Sequence, residues 1–216
     1  MTILVTGANR GLGHALLDLY RAQGRAALGT TRGAGTADLL PLDVADTASH
    51  RALAQRLEGR PIGLLVCNAG VYLDKGQHLD TGFAADLWAQ TFAVNVTGVF
   101  LTIQTLLPNL RAARDARIAI ISSQMASHIR APGGSYIYRA SKAAALNLGR
   151  NLATDLRPEG IAVGIYDPGW ARTDMGGAEA EISAEDSARG LAARFDALSL
   201  ATTGCFERWN GDTHPW

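Results

Sequence analysis

The chain has 216 residues, with 20 lysines and arginines against 20 aspartates and glutamates, and 47% of it is hydrophobic. One domain spanning 1–216, with a large core, suits that length and composition, and zero formal charge offers nothing to recruit nucleic acid or an acidic membrane surface. Arg111, Arg114 and Arg117 cluster locally, but no aromatic residues alternate with them, so they read as a solvated turn before a strand.

In chain order, short apolar runs alternate with segments of helical period. A run at 2–6 leads into a glycine-rich loop and a helix over 14–23. Runs at 26–31 and 39–44 come next, then a helix over 47–57 with Asp46-Thr47 as its cap. A run at 62–67 is followed by a long helix over 84–107, and a run at 117–122 by a helix over 138–156. In that last helix Ser141, Ala145, Leu148, Leu152 and Leu156 form the inward stripe, and Pro158 and Gly160 end it. A run at 161–166, a helix over 184–198 capped by Ser183, and a weaker run at 204–209 complete the order.

The strand-like runs carry aliphatic and β-branched residues with little alternation, as strands buried on both faces do. Strands alternating with helices imply parallel pairing through right-handed crossovers. The expected fold is therefore α/β: a single-domain doubly wound (Rossmann) sheet of about seven strands with helices on both faces. Ligands bind such sheets beyond the carboxyl ends of the strands.

Cys67 and Cys205 fall in apolar runs and read as buried thiols in a reducing compartment. The histidines (His14, His50, His78, His128, His214) are scattered, so no metal site is expected. The first strand starts at Thr2, which leaves no room for a signal peptide, and no apolar stretch approaches the roughly 20 residues of a membrane span. The expected location is the cytoplasm.

Thr6-Gly7-Ala8-Asn9-Arg10-Gly11-Leu12-Gly13 lies between the first strand and the first helix. Glycines let a pyrophosphate approach the backbone, and the helix N-terminus offers amide donors and partial positive charge. After the second strand comes Thr30-Thr31-Arg32, with no acid before Asp38 to accept from an adenosine ribose 2′-hydroxyl. Arg32, with Arg10, suits a 2′-phosphate instead. NADP(H) is therefore favoured, with NAD(H) as the alternative.

Tyr138-Arg139-Ala140-Ser141-Lys142 sets Tyr138 and Lys142 one helical turn apart on one face. A free tyrosine, with a pKa of ~10, is a poor base near neutrality; an adjacent ammonium and an oxidised nicotinamide favour its phenolate. Such a tyrosine gives a proton to a carbonyl oxygen or takes one from an alcohol. Ser122-Ser123 end the fifth strand, and Asn95 is a polar residue among valines in a long helix.

These residues resemble the short-chain dehydrogenase/reductase family. The resemblance rests on Gly7, Gly11 and Gly13, Leu42-Asp43-Val44, Asn68-Ala69-Gly70, Asn95, Ser123, Tyr138 with Lys142, and Pro168-Gly169. Residues 169–177 and the tail from Gly204-Cys205-Phe206 to Pro215-Trp216 resemble its small carbonyl-reductase-like (C-factor/Sniffer) branch.

The resemblance implies that Asp43 and Val44 contact the adenine and that Asn68, Ala69 and Gly70 lie along the adenosine ribose. It implies that Ser123 binds the substrate oxygen and Tyr138 transfers the proton. Lys142 then holds the nicotinamide ribose and depresses the Tyr138 pKa, while Asn95 fixes a water that leads from Lys142 to solvent. Pro168 and Gly169 pack at the nicotinamide, with Thr173 near its carboxamide. Asp167 departs from the family pattern, either as a charge beside the nicotinamide or as a loop cap.

A short stretch separates Thr173 from the last helix, so the pocket is expected to be open, lined by Tyr72, Met125, His128, Trp170 and Met175 and suited to small or varied carbonyls. The two helices over 84–107 and 138–156 are the family's usual pairing surface, which makes a homodimer the expected assembly and a monomer the alternative. The rival function is a catalytically idle dinucleotide-binding signalling protein on the same fold.

Overall fold

The computed structural model describes every residue except Ala37 and Trp216. Its main sheet is built from β1 (Thr2–Val5), β2 (Ala27–Thr31), β3 (Leu39–Pro41), β4 (Ile62–Cys67), β5 (Arg117–Ile121), β6 (Ala162–Asp167) and β9 (Phe206–Arg208). These seven strands run in the order β3-β2-β1-β4-β5-β6-β9, and every neighbouring pair is parallel. The order reverses at β1, between β2 and β4, which opens a crevice above the carboxyl ends of β1 and β4.

The apolar continuity of the strands has a direct cause, because both faces of the sheet are covered. Ile3 and Val5 of β1, Leu64 and Val66 of β4, and Ala119 and Ile121 of β5 pack on α1 (Gly11–Ala22) and α6 (Ala184–Ala197) through Leu16, Leu17, Tyr20, Leu191 and Phe195. Leu4, Leu65, Ile118 and Ile120 face the other way. They meet α2 (Thr47–Arg56), α4 (Gly98–Arg111) and α5 (Tyr136–Leu156) through Leu53, Ile103, Leu106, Ala153 and Leu156. Each such fully buried aliphatic side chain contributes roughly 1.5–3 kcal/mol of transfer free energy.

Several expectations change in detail. The third strand stops at Pro41, although Leu42 and Val44 remain buried, and β2 reaches its parallel partner β3 through a loop without a helix. The first helix starts at Gly11, and the helix expected over 138–156 starts at Tyr136. The inward face of α5 is Tyr138, Ser141, Lys142, Ala145, Gly149, Ala153 and Leu156, with Leu148 and Leu152 only partly covered. Gly149 lies inward because a Cβ there would sit 2.5 Å from Ile165. Two short strands, β7 (Ala171–Arg172) and β8 (Ile182–Ser183), pair with each other outside the main sheet. Cys205 is partly exposed, not buried, and both cysteines are free thiols.

The long helix is three segments: α3 (Ala85–Phe92), a five-residue π turn (Ala93–Thr97) and α4, which continues past Pro108. Together Ala85–Arg111 make one stretch that is long and apolar enough to cross a membrane by length and composition, which corrects the expectation that no segment reaches that length. Polar residues such as Gln90, Asn95 and Gln104 interrupt its apolar run. Its Val99, Ile103, Leu106 and Leu110 lie in the core.

Two helix caps follow the sequence. Asp46 accepts from the amides of Ala48 and Ser49 at the start of α2, and Ser183 accepts from Asp186 N at the start of α6. Replacing Asp46 with alanine is expected to cost about 1 kcal/mol. The melting temperature should fall by about 2–4 °C, and a thermal unfolding scan without change in the folded-state far-UV spectrum checks it.

Candidate active site

The glycine loop is stapled to the end of β4. Thr6 Oγ1 accepts from the backbone amides of Asn68 and Ala69, each at 3.0 Å. Asn68 Nδ2 donates to the carbonyls of Thr6 (2.9 Å) and Gly7 (3.2 Å). Gly13 must be glycine, since a Cβ there would lie 2.4 Å from Gly7 O and 2.5 Å from Asn68 Nδ2. Gly7 and Gly11 have φ of +63° and +53°, a left-handed backbone that side chains resist.

Whereas α2 and α6 have side-chain caps, Arg10 at the cap position of α1 supplies none, so the first-turn amides are left for another acceptor. Asn9 and Arg10 are exposed there, and Leu12 packs into the core. Arg10 Nη1 is 2.7 Å from Asp174 Oδ2 in an exposed ion pair. Thr173 sits over the loop, its Cγ2 3.2 Å from where a Cβ on Gly11 would be. Arg32 is exposed directly after β2. Asp43 is partly buried, with its amide donating to Ser49 Oγ at 2.9 Å, and Val44 is buried.

Beyond Asn68 the chain passes Gly70, where a Cβ would lie 3.3 Å from Asn95 Oδ1 and 3.6 Å from Lys142 Nζ. Asn95 occupies the π turn and is 1% exposed. Its Oδ1 accepts from Val71 N at 2.8 Å, while its Nδ2 donates to Val71 O at 2.9 Å and to Ser141 Oγ at 3.0 Å. The side chain thus joins the β4 loop to α5. The wide turn that presents it belongs to a type of irregularity common at functional sites.

Tyr138, Ser123 and Lys142 come together above β4 and β5. Ser123 follows β5 with its Oγ accepting from Met125 N at 3.1 Å, and its side chain favours the ionised form of the Tyr138 phenol. Lys142 Nζ donates to Ile121 O at 2.9 Å and lies 5.6 Å from the centre of the Tyr138 ring. Ser122 Oγ donates to Lys142 O at 3.0 Å, which ties this turn of α5 to the strand end. Tyr72 stacks on Tyr138 with ring centres 4.2 Å apart, and its hydroxyl bonds to that of Ser135.

Burial sets the acidities. It is the main reason that the Lys142 ammonium is pushed down to about 8. It also pushes the Tyr138 phenol well above the ordinary tyrosine range, as do the charges of Asp167 and Asp74, while the Ser123 side chain acts the other way. The expectation that this lysine depresses the tyrosine is therefore not met by the protein's own groups. Desolvation is the largest cause, and the Lys142 ammonium is turned toward Ile121 O.

Asp167 is both cap and buried charge. Its Oδ1 accepts from Gly169 N at 3.1 Å, and its Oδ2 lies 2.8 Å from His214 Nε2 and 3.6 Å from Arg208 Nε. The tail also packs Trp209 against Gly169, where a Cβ would meet its indole at 2.7 Å. Pro168 O accepts from Ser187 Oγ at 2.6 Å. The tail motif's last residue, Trp216, lies outside the described residues.

Of the expected pocket lining, Trp170 is 44% and Met175 39% exposed. Met125 is half-buried and His128 exposed. Two residues escaped the sequence reading. His214 is one. The other is Asp74, 1% exposed, which accepts from Ile137 N at 2.9 Å and Tyr138 N at 3.2 Å. The signal for Asp74, an acid in the apolar stretch Val71-Tyr72-Leu73 after the Asn68-Ala69-Gly70 motif, was faint.

Comparison with known proteins agrees with this arrangement. Residues 1–183 match the short chain dehydrogenase family. C-signal of Myxococcus xanthus is 38% identical over 169 residues, covering 77% of this chain and 99% of that protein. The 1-hydroxy-2-glutathionyl-2-methyl-3-butene dehydrogenase of Rhodococcus sp. is 31% identical over 230 residues, covering 100% of this chain and 99% of that enzyme. Among solved structures, NADPH-bound carbonyl reductase from chicken fatty liver has a TM-score of 0.90 at 28% identity, covering 100% of this chain and 98% of that one. Carbonyl reductase Sniffer of D. melanogaster has a TM-score of 0.93 at 25% identity, covering 100% and 99%. The chain belongs to the short-chain dehydrogenase family of oxidoreductases, in its carbonyl-reductase-like branch.

Proposed function

We infer that this oxidoreductase transfers a hydride between NADP(H) and a carbonyl or alcohol, with Tyr138 as acid and base. The observation that carries the reading is the convergence of Ser123 and Lys142 on one buried phenol, with Asn95 bonded through Ser141 to the backbone carbonyl of the same Tyr138. An idle signalling role asks for no such convergence.

The residues fit the cofactor. The uncapped start of α1 and the side-chain-free Gly7, Gly11 and Gly13 suit a pyrophosphate, flanked by Asn9, Arg10 and Leu12. Arg32, with Arg10 released from Asp174, takes the 2′-phosphate; an NADP-bound relative from Burkholderia multivorans, 30% identical, and the NADPH-bound chicken enzyme favour that cofactor. Asp43 and Val44 take the adenine, Asn68-Ala69-Gly70 the adenosine ribose, and Pro168, Gly169 and Thr173 the nicotinamide. When bound, the cofactor supplies the hydride for the carbonyl carbon.

The protein handles the proton. Ser123 holds the substrate oxygen, and Tyr138, kept protonated by its surroundings, delivers its phenolic proton there as the C=O bond is reduced. Oxidation of an alcohol reverses these moves. Ile121 O occupies one of the three donors of the Lys142 ammonium, leaving others for the nicotinamide ribose. Asn95 holds the proton route from Lys142 to solvent.

Tyr72, Trp170 and Met175, from loops after β4 and β6, give the entrance an apolar character that suits aromatic aldehydes and dicarbonyls. Exposed Phe100 on α4, with partly buried Phe92 on α3 and Leu148 and Leu152 on α5, offers a face for a homodimer in the cytoplasm.

Tyr138→Phe should lower NADPH oxidation with an aromatic aldehyde by about 10²- to 10⁴-fold, followed at the nicotinamide absorbance; undiminished turnover removes Tyr138 from the mechanism. Arg32→Asp should move the kcat/KM ratio toward NADH, and an unchanged ratio shows that Arg32 does not read the phosphate. Lys142 carries its charge below a pKa of about 8 and loses it above. NADPH affinity in fluorescence titrations should therefore weaken as the pH rises through 8, a trend that Lys142→Met abolishes.

A further inference from the structure

The helix that carries Tyr138 has no cap of its own. The residue before it, Ser135, stands in the left-handed region (φ 48°, ψ 41°), and its side chain caps nothing. An ordinary cap sits in extended backbone and accepts from the second and third amides of the helix. In α5 those amides belong to Ile137 and Tyr138, and both donate to the carboxylate of Asp74, 63 and 64 residues earlier in the chain.

We propose that Asp74 is the positioning residue of the acid–base tyrosine, capping its helix from the loop after β4 and so fixing where the phenol stands. The inference rests on the reading of Tyr138 as the proton donor and names a residue that acts through it.

The loop is built to hold the carboxylate in place. Val71 is bonded at both its N–H and C=O by Asn95. Tyr72 lies flat against the Tyr138 ring and bonds Ser135 through its hydroxyl. Lys75 Nζ donates to Met175 O at 3.2 Å, which ties the same loop to the segment over the glycine loop. Within five residues the chain thus grips the π turn, the phenol, the helix start and the substrate-side segment. A buried carboxylate is costly unless it receives hydrogen bonds. Here backbone amides at the positive end of a 21-residue helix supply them.

Asp74 also adds to the electrostatics, after burial and the larger effect of Asp167. The charged and titratable groups facing the phenol are Asp167 from β6, Asp74 and Tyr72 from the β4 loop, and Lys142 from α5 itself, while the Ser123 side chain favours the phenolate. The Asp74 charge opposes phenolate formation, so removing it makes Tyr138 a stronger acid.

The test uses Asp74→Asn and Asp74→Glu in the full-length protein, with kcat and KM measured from neutral to alkaline pH. Asp74→Asn should lower kcat by about 10- to 100-fold, the size of effect that a misplaced catalytic group produces. NADPH affinity should stay within about twofold, and the alkaline limb of carbonyl reduction should move to lower pH. Asp74→Glu, which keeps the charge, should restore the limb and part of kcat. Amide hydrogen exchange supplies a reading free of activity: in Asp74→Asn, Ile137 and Tyr138 lose protection while the first turn of α6 keeps its own. Unchanged kcat, or a fall in kcat with limb and protection unmoved, overturns the proposal. If Asp74→Asn does not fold, Asp74→Glu alone decides, with reduced Ile137 and Tyr138 protection expected and full protection with wild-type kcat overturning it. Failure of the Tyr138 reading is separate, because an active Tyr138→Phe variant leaves the exchange result standing.

Discussion

The arrangement depends on hydrogen bonds exchanged between Thr6 and Asn68 across the carboxyl ends of β1 and β4. At this point the sheet order reverses and two loops leave in opposite directions. A hydroxyl that accepts two amides and a carboxamide that donates to two carbonyls tie the backbone groups of the two strand ends to each other. They also decide two trajectories at once. One is the glycine loop, pressed so close to Asn68 that Gly13 admits no side chain. The other is the β4 loop, directed toward Asn95, Tyr72 and Asp74.

From that staple the remaining contacts form a chain of constraints around one phenol. Asn95 holds Val71 and Ser141, Ser122 holds the Lys142 turn, and Asp74 holds the helix start. Buried polar networks of this kind stabilise only when every member is satisfied. This explains why the site is assembled from so many backbone hydrogen bonds and so few ion pairs. Backbone amides and carbonyls cannot wander, so they give Tyr138 and Lys142 fixed positions without the rotamer entropy of long charged partners.

The fold and much of the site were legible in the sequence for a physical reason. A strand covered on both faces must be apolar throughout, so β1, β4, β5 and β6 announced themselves. A phosphate loop must have glycine where its backbone turns left-handed. What stayed hidden lacks a local signature. The two-residue strands β7 and β8 are shorter than any period. The π turn over Ala93–Thr97 has no marker in its sequence, which reads as a continuation of the helix. Asp74 and His214 look like any surface residue until the chain brings them to partners 63 and 47 positions away. The stripe along α5 holds, with Leu148 and Leu152 packed against the core though only partly covered, but the period alone does not say that Gly149 and Ala153 also face inward and let the helix approach β6 closely.

Asp167 shows how one departure from the family pattern reaches the chemistry. A carboxylate 1% exposed at the end of β6 is tolerable only with partners, and losing one partner of such a buried pair typically costs about 3–5 kcal/mol. Those partners, His214 and Arg208, lie in the C-terminal tail, so the charge ties the tail to the end of β6. The same charge, acting through a dry interior, opposes ionisation of Tyr138 and supports the Lys142 ammonium. The tail is therefore more than a closing strand. By compensating Asp167 it lets a negative charge stand near Tyr138 and Lys142, where it opposes ionisation of the phenol and supports the ammonium, the two states that the proposed proton delivery to a carbonyl oxygen requires.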